Sequence, residues 1–228
     1  YLPASPTFLL RAEMPMRTPV LLLAALTVAA PLAAQLPQRA VRRTIPITRS
    51  FQPTLELPGS KAWTNPARVL ATLENGKSHR SNVLLADDTA VMIDGLRQLG
   101  FSIVLDEAAH VIEIEGAAGA IPNKAAELFC GNSGTTIRFL SALCALGKGE
   151  YVLDGVHRMR QRPIRQLVDM LQILGARIEY LHDDGVPPIR ILSDDFIGGL
   201  VGFGAAESSQ YLSAILMAAP YAEEEVEV

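Results

Sequence analysis

The sequence predicts an α/β fold assembled from a repeated βαβ-containing unit. Two blocks, residues 92–103 (MIDGLRQLGFSI) and 167–178 (LVDMLQILGARI), match at an offset of 75, the difference between Gly175 and Gly100. In each block apolar residues recur at helical spacing, a glycine closes the helix, and an alternating strand pattern follows. Before each block lies a second helical pattern, residues 65–73 and 136–146, and a third copy begins at 209–219. Each of these follows a run of small or polar residues, which is how a helix N-terminus is announced.

The strands come next. Residues 101–105 pair with 110–115 in the first copy, and 177–181 with 189–192 in the second, across a loop holding Asp183, Asp184 and Gly185. The unit is repeated nearly three times, at about 58–120, 121–195 and 196–228, with the last copy cut short. A leading strand is expected within 44–57. Residues 1–43 do not read like the rest. A basic start at Met14-Pro15-Met16-Arg17, a short apolar run at 20–30 and small residues afterwards resemble a secretory signal. The alternative is upstream sequence translated with a cytoplasmic protein, in keeping with a first residue, Tyr1, that is not methionine. The apolar run is short for a membrane-spanning helix.

Composition narrows the class. The chain has 228 residues, long enough for a substantial core, and its 49% hydrophobic and 19% charged residues describe a globular protein. A net charge of −4 gives no support for nucleic acid as a general partner. The acidic end, residues 223–228, reads as a solvated tail or a strand. Cys130 and Cys144 have neither metal-ligand spacing nor the pattern of a disulfide framework, and Cys144 sits in an apolar helical stretch. No metal is expected.

Chemistry concentrates in two runs. Gly131-Asn132-Ser133-Gly134-Thr135-Thr136-Ile137-Arg138 packs two glycines and three hydroxyls against the start of an apolar helix. Small residues there let backbone N–H groups meet an anion, and the helix dipole favours its charge. Simple capping by Ser133, Thr135 or Thr136 accounts for the hydroxyls equally well. The second run, Arg158 to Pro163, carries Arg158, Arg160 and Arg162, partners for phosphate or carboxylate. Pro163 is expected to start the next helix. Ser208-Ser209-Gln210 precedes the third helical pattern, and Lys61 follows Pro58-Gly59-Ser60 at the start of the first.

Residues 128–138 resemble the signature of the 5-enolpyruvylshikimate-3-phosphate synthases. Pro58-Gly59-Ser60-Lys61, the run from Arg158 to Asp169, and Ser208 to Leu212 resemble the same family in the same order, so the likeness covers about 44–221. The resemblance implies one incomplete lobe, residues 44–228, of the two-lobed enolpyruvyl transferase fold, an inside-out α/β barrel with helices inside and sheets outside. It implies transfer of the enolpyruvyl group from phosphoenolpyruvate to the 5-hydroxyl of shikimate 3-phosphate, in the cytoplasm, by a monomer using no cofactor and no membrane. Lys61 would be catalytic and contact phosphoenolpyruvate together with Gly134, Arg162 and Gln210. Ser208, Ser209 and Gln210 would bind shikimate 3-phosphate. Arg138, one turn into its helix, would buttress the site.

Four residues depart from this pattern. The family's first motif continues with a serine after the lysine and an arginine four residues on, both touching shikimate 3-phosphate; here they are Ala62 and Pro66. Losing a charged hydrogen bond to a buried anion costs about 1.5–3 kcal/mol, roughly ten- to a hundredfold in affinity. Trp63 is bulky for its place, and Phe139 is expected to alter the shape around Gly134. With the second lobe's groups wanting, the chain is expected to be inactive alone. Rival readings are a non-catalytic anion-binding remnant, a secreted binding protein if the signal is used, and a relative of the UDP-N-acetylglucosamine enolpyruvyl transferases.

Overall fold

In the computed structural model, which describes residues 59–202 and 208–228, the repeat becomes two sheets of the same order. The first copy contains α1 (Lys61–Leu73), β1 (Asn75–Arg80), α2 (Asp87–Gln98), β2 (Ser102–Asp106) and β3 (Val111–Ala117). The second contains β4 (Ala125–Phe129), α3 (Gly134–Ala145), β5 (Gly149–Asp154), α4 (Arg165–Ile173), β6 (Arg177–Tyr180) and β7 (Ile189–Ser193). Sheet order β1-β3-β2 in one copy is matched by β5-β7-β6 in the other, antiparallel throughout, with β4 added parallel to β5. Then β8 (Gly199–Leu200), α5 (Ser209–Ala218) and β9 (Val226–Glu227) repeat the parallel strand–helix–strand step of β4, α3 and β5. The acidic end therefore finishes in a short strand, with Glu223, Glu224 and Glu225 exposed ahead of it. These residues belong to a unit running from Leu55 to Val228. The expected leading strand at 44–57 and the signal-like segment at 1–43 lie outside the described residues.

The matching glycines explain why the repeat is so regular. Gly100 and Gly175 adopt φ of +93° and +109°. In both, the glycine N–H bonds the carbonyl three residues back, and the next N–H reaches five back: Phe101 to Leu96 at 3.1 Å and Ala176 to Leu171 at 3.0 Å. This is the helix stop that needs a left-handed residue. A side chain at either position would cost about 1–2 kcal/mol in backbone strain.

Helix α3 is the centre of the fold. It packs against α1, α2, α4 and α5 as well as β5 and β7, so helices fill the inside and sheets lie outside. Its sequence suits that place, being apolar nearly all round. Ile137, Phe139, Leu140 and Leu143 are all at most 2% exposed. Burying these four side chains contributes about 6–12 kcal/mol of gross hydrophobic stabilisation.

Candidate anion-binding site

The parallel pairing of β4 with β5 sets the site. Phe129 lies opposite Asp154 at the carboxyl ends of the two strands, so their loops leave side by side. Cys130 N–H donates to the Asp154 carbonyl at 2.7 Å, and Val156 N–H to the Gly131 carbonyl at 3.0 Å. Gly131 turns the first loop with φ of +56°. A β-carbon at Gly155 would lie 2.3 Å from the Gly131 oxygen, so only glycine permits this approach. The first loop then delivers α3, whose N-cap Ser133 accepts from the Thr136 N–H at 3.3 Å.

The second loop brings the arginines, and they separate into different jobs. Arg158 donates to Gln161 Oε1 at 2.9 Å, and Arg160 grips the Asp154 carboxylate through Nε, 2.9 Å from Oδ1, and Nη2. Arg162 alone of the three has no side-chain hydrogen bond or ion pair among the described residues. Its Nη1 would lie 2.9 Å from a β-carbon built on Gly134. The absent side chain thus lets the Arg162 guanidinium lie close over the N-terminus of α3. Ile137, Arg138, Met159, Pro163, Ile164 and Pro187 close around the same spot, a narrow cleft with no room for a water molecule as it stands.

Helix α5 meets the same place. Arg138 Nη1 donates to Gln210 Oε1 at 2.8 Å and to Ser208 Oγ at 3.1 Å, while its guanidinium lies 4.9 Å over the Tyr211 ring. Gln210 Nε2 donates to Thr135 Oγ1 at 2.9 Å. Ser208 caps α5 by accepting the Gln210 N–H at 3.3 Å, whereas Ser209 is exposed. Tyr211 is buried and its hydroxyl donates to the Pro163 carbonyl at 2.8 Å, fastening the arginine loop to α5.

Lys61 opens α1 and forms an ion pair with Asp88 in the first turn of α2. The Asp88 carbonyl also lies 3.2 Å from Thr136 Oγ1, so this aspartate links the N-terminal ends of three helices. Behind it, Arg68 is 1% exposed and donates to the Thr89 carbonyl at 2.8 Å. Burial pushes the Arg68 guanidinium down to about 10. Asp88 is the residue that sequence reasoning missed. The signal was the pair Asp87-Asp88 opening a helix, which reads as an ordinary complement to the dipole.

Three expectations need correction. Trp63 is 79% exposed and points to solvent, so its bulk does not crowd Lys61. Phe139 is buried in the core, and the side chains nearest a β-carbon at Gly134 are those of Arg162 and Arg138. Pro163 does not start α4, which begins at Arg165; it precedes the cap residue Ile164 and serves as the acceptor for Tyr211. Helix α1 begins at Lys61, as that residue's place at a helix start implied, four residues before the apolar pattern from Asn65, which puts Pro66 inside it. There Pro66 removes a backbone donor and its ring crowds the Ala62 carbonyl.

The charges at the site divide by environment. Burial alone would raise the Asp154 carboxyl, but the Arg160 hydrogen bond, the Gly155 N–H and the charges of Arg160 and His182 outweigh it and hold the group below its usual 3.8. Its stabilising contribution is therefore complete above that value and is lost as pH falls below it. Cys130 and Cys144 are free and buried. Burial, with Asp154 second, pushes Cys130 up to about 12, and burial followed by Cys130 pushes Cys144 well above 9.0. Burial thus favours the thiol form of both, the unreactive state of an enclosed cysteine. Among the described residues no cluster of His, Cys, Asp or Glu could hold a metal ion, and no helix is long and apolar enough to cross a membrane.

The described residues thus form an α/β lobe in which the glycine-started N-terminus of α3 and the arginine loop meet at the carboxyl ends of the parallel strands β4 and β5. The family model for EPSP synthase (3-phosphoshikimate 1-carboxyvinyltransferase) matches residues 46–228, and the chain belongs to that family. It is 44% identical over 179 residues to the 3-phosphoshikimate 1-carboxyvinyltransferase of Nostoc punctiforme, covering 78% of this chain and 42% of that relative. The Vibrio atlanticus protein of the same name is 45% identical over 175 residues, or 76% of this chain and 41% of the relative. A solved EPSP synthase from Acinetobacter baumannii superposes with a TM-score of 0.67 at 27% identity, covering 74% of this chain and 38% of that one. The chain thus spans about two fifths of the length of the curated relatives it matches.

Proposed function

We propose that this chain carries the phosphoenolpyruvate-binding face, and part of the shikimate 3-phosphate-binding face, of a cytoplasmic 3-phosphoshikimate 1-carboxyvinyltransferase of the shikimate pathway. The observation that carries this reading is the meeting of Gly134, Arg162, Arg138 and Gln210 at the N-terminus of α3. Gly134 and Thr135 offer backbone N–H groups to phosphoenolpyruvate, and Arg162 supplies a fixed positive charge beside them. Gln210 stands between the two substrates, with Ser208 and Ser209 turned to shikimate 3-phosphate. Lys61, steadied by Asp88, serves proton movement at the reacting carbons.

In the reaction the 5-oxygen of shikimate 3-phosphate attacks C2 of phosphoenolpyruvate as C3 gains a proton. The tetrahedral adduct then expels phosphate and loses a proton from C3. No metal or organic cofactor is required by these steps. The net charge of −4 gives nucleic acid no general attraction, and we assign a monomer. Binding is the readout that these residues' own part of the site can give.

Calorimetric titration of the full chain with each substrate tests the proposal. Phosphoenolpyruvate should bind saturably, whereas shikimate 3-phosphate should bind weakly because Ala62 and Pro66 stand where a hydroxyl and a cation are wanted. The double variant Ala62→Ser, Pro66→Arg should raise shikimate 3-phosphate affinity about ten- to a hundredfold. A folded protein that binds neither molecule, before or after this repair, is the remnant and not the substrate-binding lobe.

A further inference from the structure

Arg162 is offered to the cleft by a loop that has no regular structure beyond one 3-10 turn, Met159–Gln161. Something must hold that loop, because an arginine on a free loop loses much of its binding contribution to its own disorder. Besides the Tyr211 hydroxyl on the Pro163 carbonyl, two anchors lie on the Asp154 side of Arg162. Met159 is fully buried and its N–H donates to the Val156 carbonyl at 2.7 Å. Arg160 closes on Asp154 with both ends of its guanidinium, the bidentate geometry that fixes orientation as well as distance. The Arg162 N–H in turn donates to the Met159 carbonyl at 3.0 Å, so Arg162 hangs from the turn these anchors pin.

Asp154 is well placed for this work. Its main-chain carbonyl holds the Cys130 N–H at the root of the loop entering α3, while its carboxylate holds the arginine loop. One residue therefore ties together the two segments that carry Gly134 and Arg162. Resting on the anion-binding reading of the cleft, we propose that Asp154 is a positioning residue: its clamp on Arg160 orders Arg162 against the N-terminus of α3.

Partly exposed ion pairs add little to global stability, so this pair's role is local. In Asp154→Asn the full chain should keep its melting temperature nearly unchanged. The Arg162 Nε–Hε group should become mobile by 15N relaxation, and phosphoenolpyruvate affinity should fall about 3- to 10-fold, the effect of losing one side chain's prior ordering. Arg160→Gln should do the same. The swapped pair Asp154→Arg, Arg160→Asp should recover part of the order and affinity. Unchanged Arg162 relaxation in both single variants overturns the proposal, as does unchanged affinity where the wild-type chain binds. If the wild-type chain binds no phosphoenolpyruvate, the functional reading of the cleft fails, while the relaxation data still decide whether Asp154 orders Arg162. Should Asp154→Asn unfold, Arg160→Gln carries the same test from the other side of the pair.

Discussion

Gly134→Ala is expected to weaken phosphoenolpyruvate binding about ten- to a hundredfold while leaving the protein folded. The new methyl group would lie 2.9 Å from Arg162 Nη1, closer than contact allows. The neighbour it meets is the far end of a flexible side chain, so the guanidinium yields and the backbone stays. Stability is spared for that reason. Under the proposed assignment the anion would lose twice: the methyl would crowd its approach to the helix N-terminus, and Arg162 would be displaced. Titration calorimetry beside a thermal melt checks both halves. Unchanged affinity would show that the anion sits elsewhere.

Leu140→Ala is expected to destabilise the fold by about 2–5 kcal/mol, the largest stability loss we foresee from a single truncation. Leu140 is fully buried on α3, the helix that packs against α1, α2, α4 and α5 as well as β5 and β7. Its neighbour Gly95 on α2 lies so near that a β-carbon there would come within 2.7 Å of Leu140 Cδ1. Gly95→Ala alone should therefore destabilise by overpacking. Combined with Leu140→Ala, it should restore part of the loss, because the added methyl enters the vacated space. Denaturant unfolding of the two single variants and the double variant tests the coupling. Strict additivity would mean that α2 and α3 do not meet at these residues.

How much of this was legible depended on how local the signal was. The stops at Gly100 and Gly175 could be read because a left-handed helix end demands glycine and recurs at the repeat length. The strands following them fell within a residue or two of their expected places. The apolar pattern of α1 began only at Asn65 because its first turn, Lys61 to Trp63, is exposed and carries no apolar rhythm. Contacts across the repeat were hidden for a different reason. Gln210 and Thr135, whose side chains bond, stand 75 residues apart, the repeat length itself. They are equivalent positions at the starts of successive helices. The motifs showed that both mattered, but only packing of α3 against α5 shows that they touch. Asp88 and Asp154 gave no distinct signal, since an acid at a helix start or strand end has ordinary uses.

The most direct test of the central claim is a 1H–15N correlation titration of the full chain with phosphoenolpyruvate. The Gly134 and Thr135 amides, the Arg162 Nε–Hε and the Gln210 side-chain amide should shift together, saturably, and more than any other signals. Saturable shifts clustered elsewhere, or none in a well-folded sample, would contradict the assignment of this cleft.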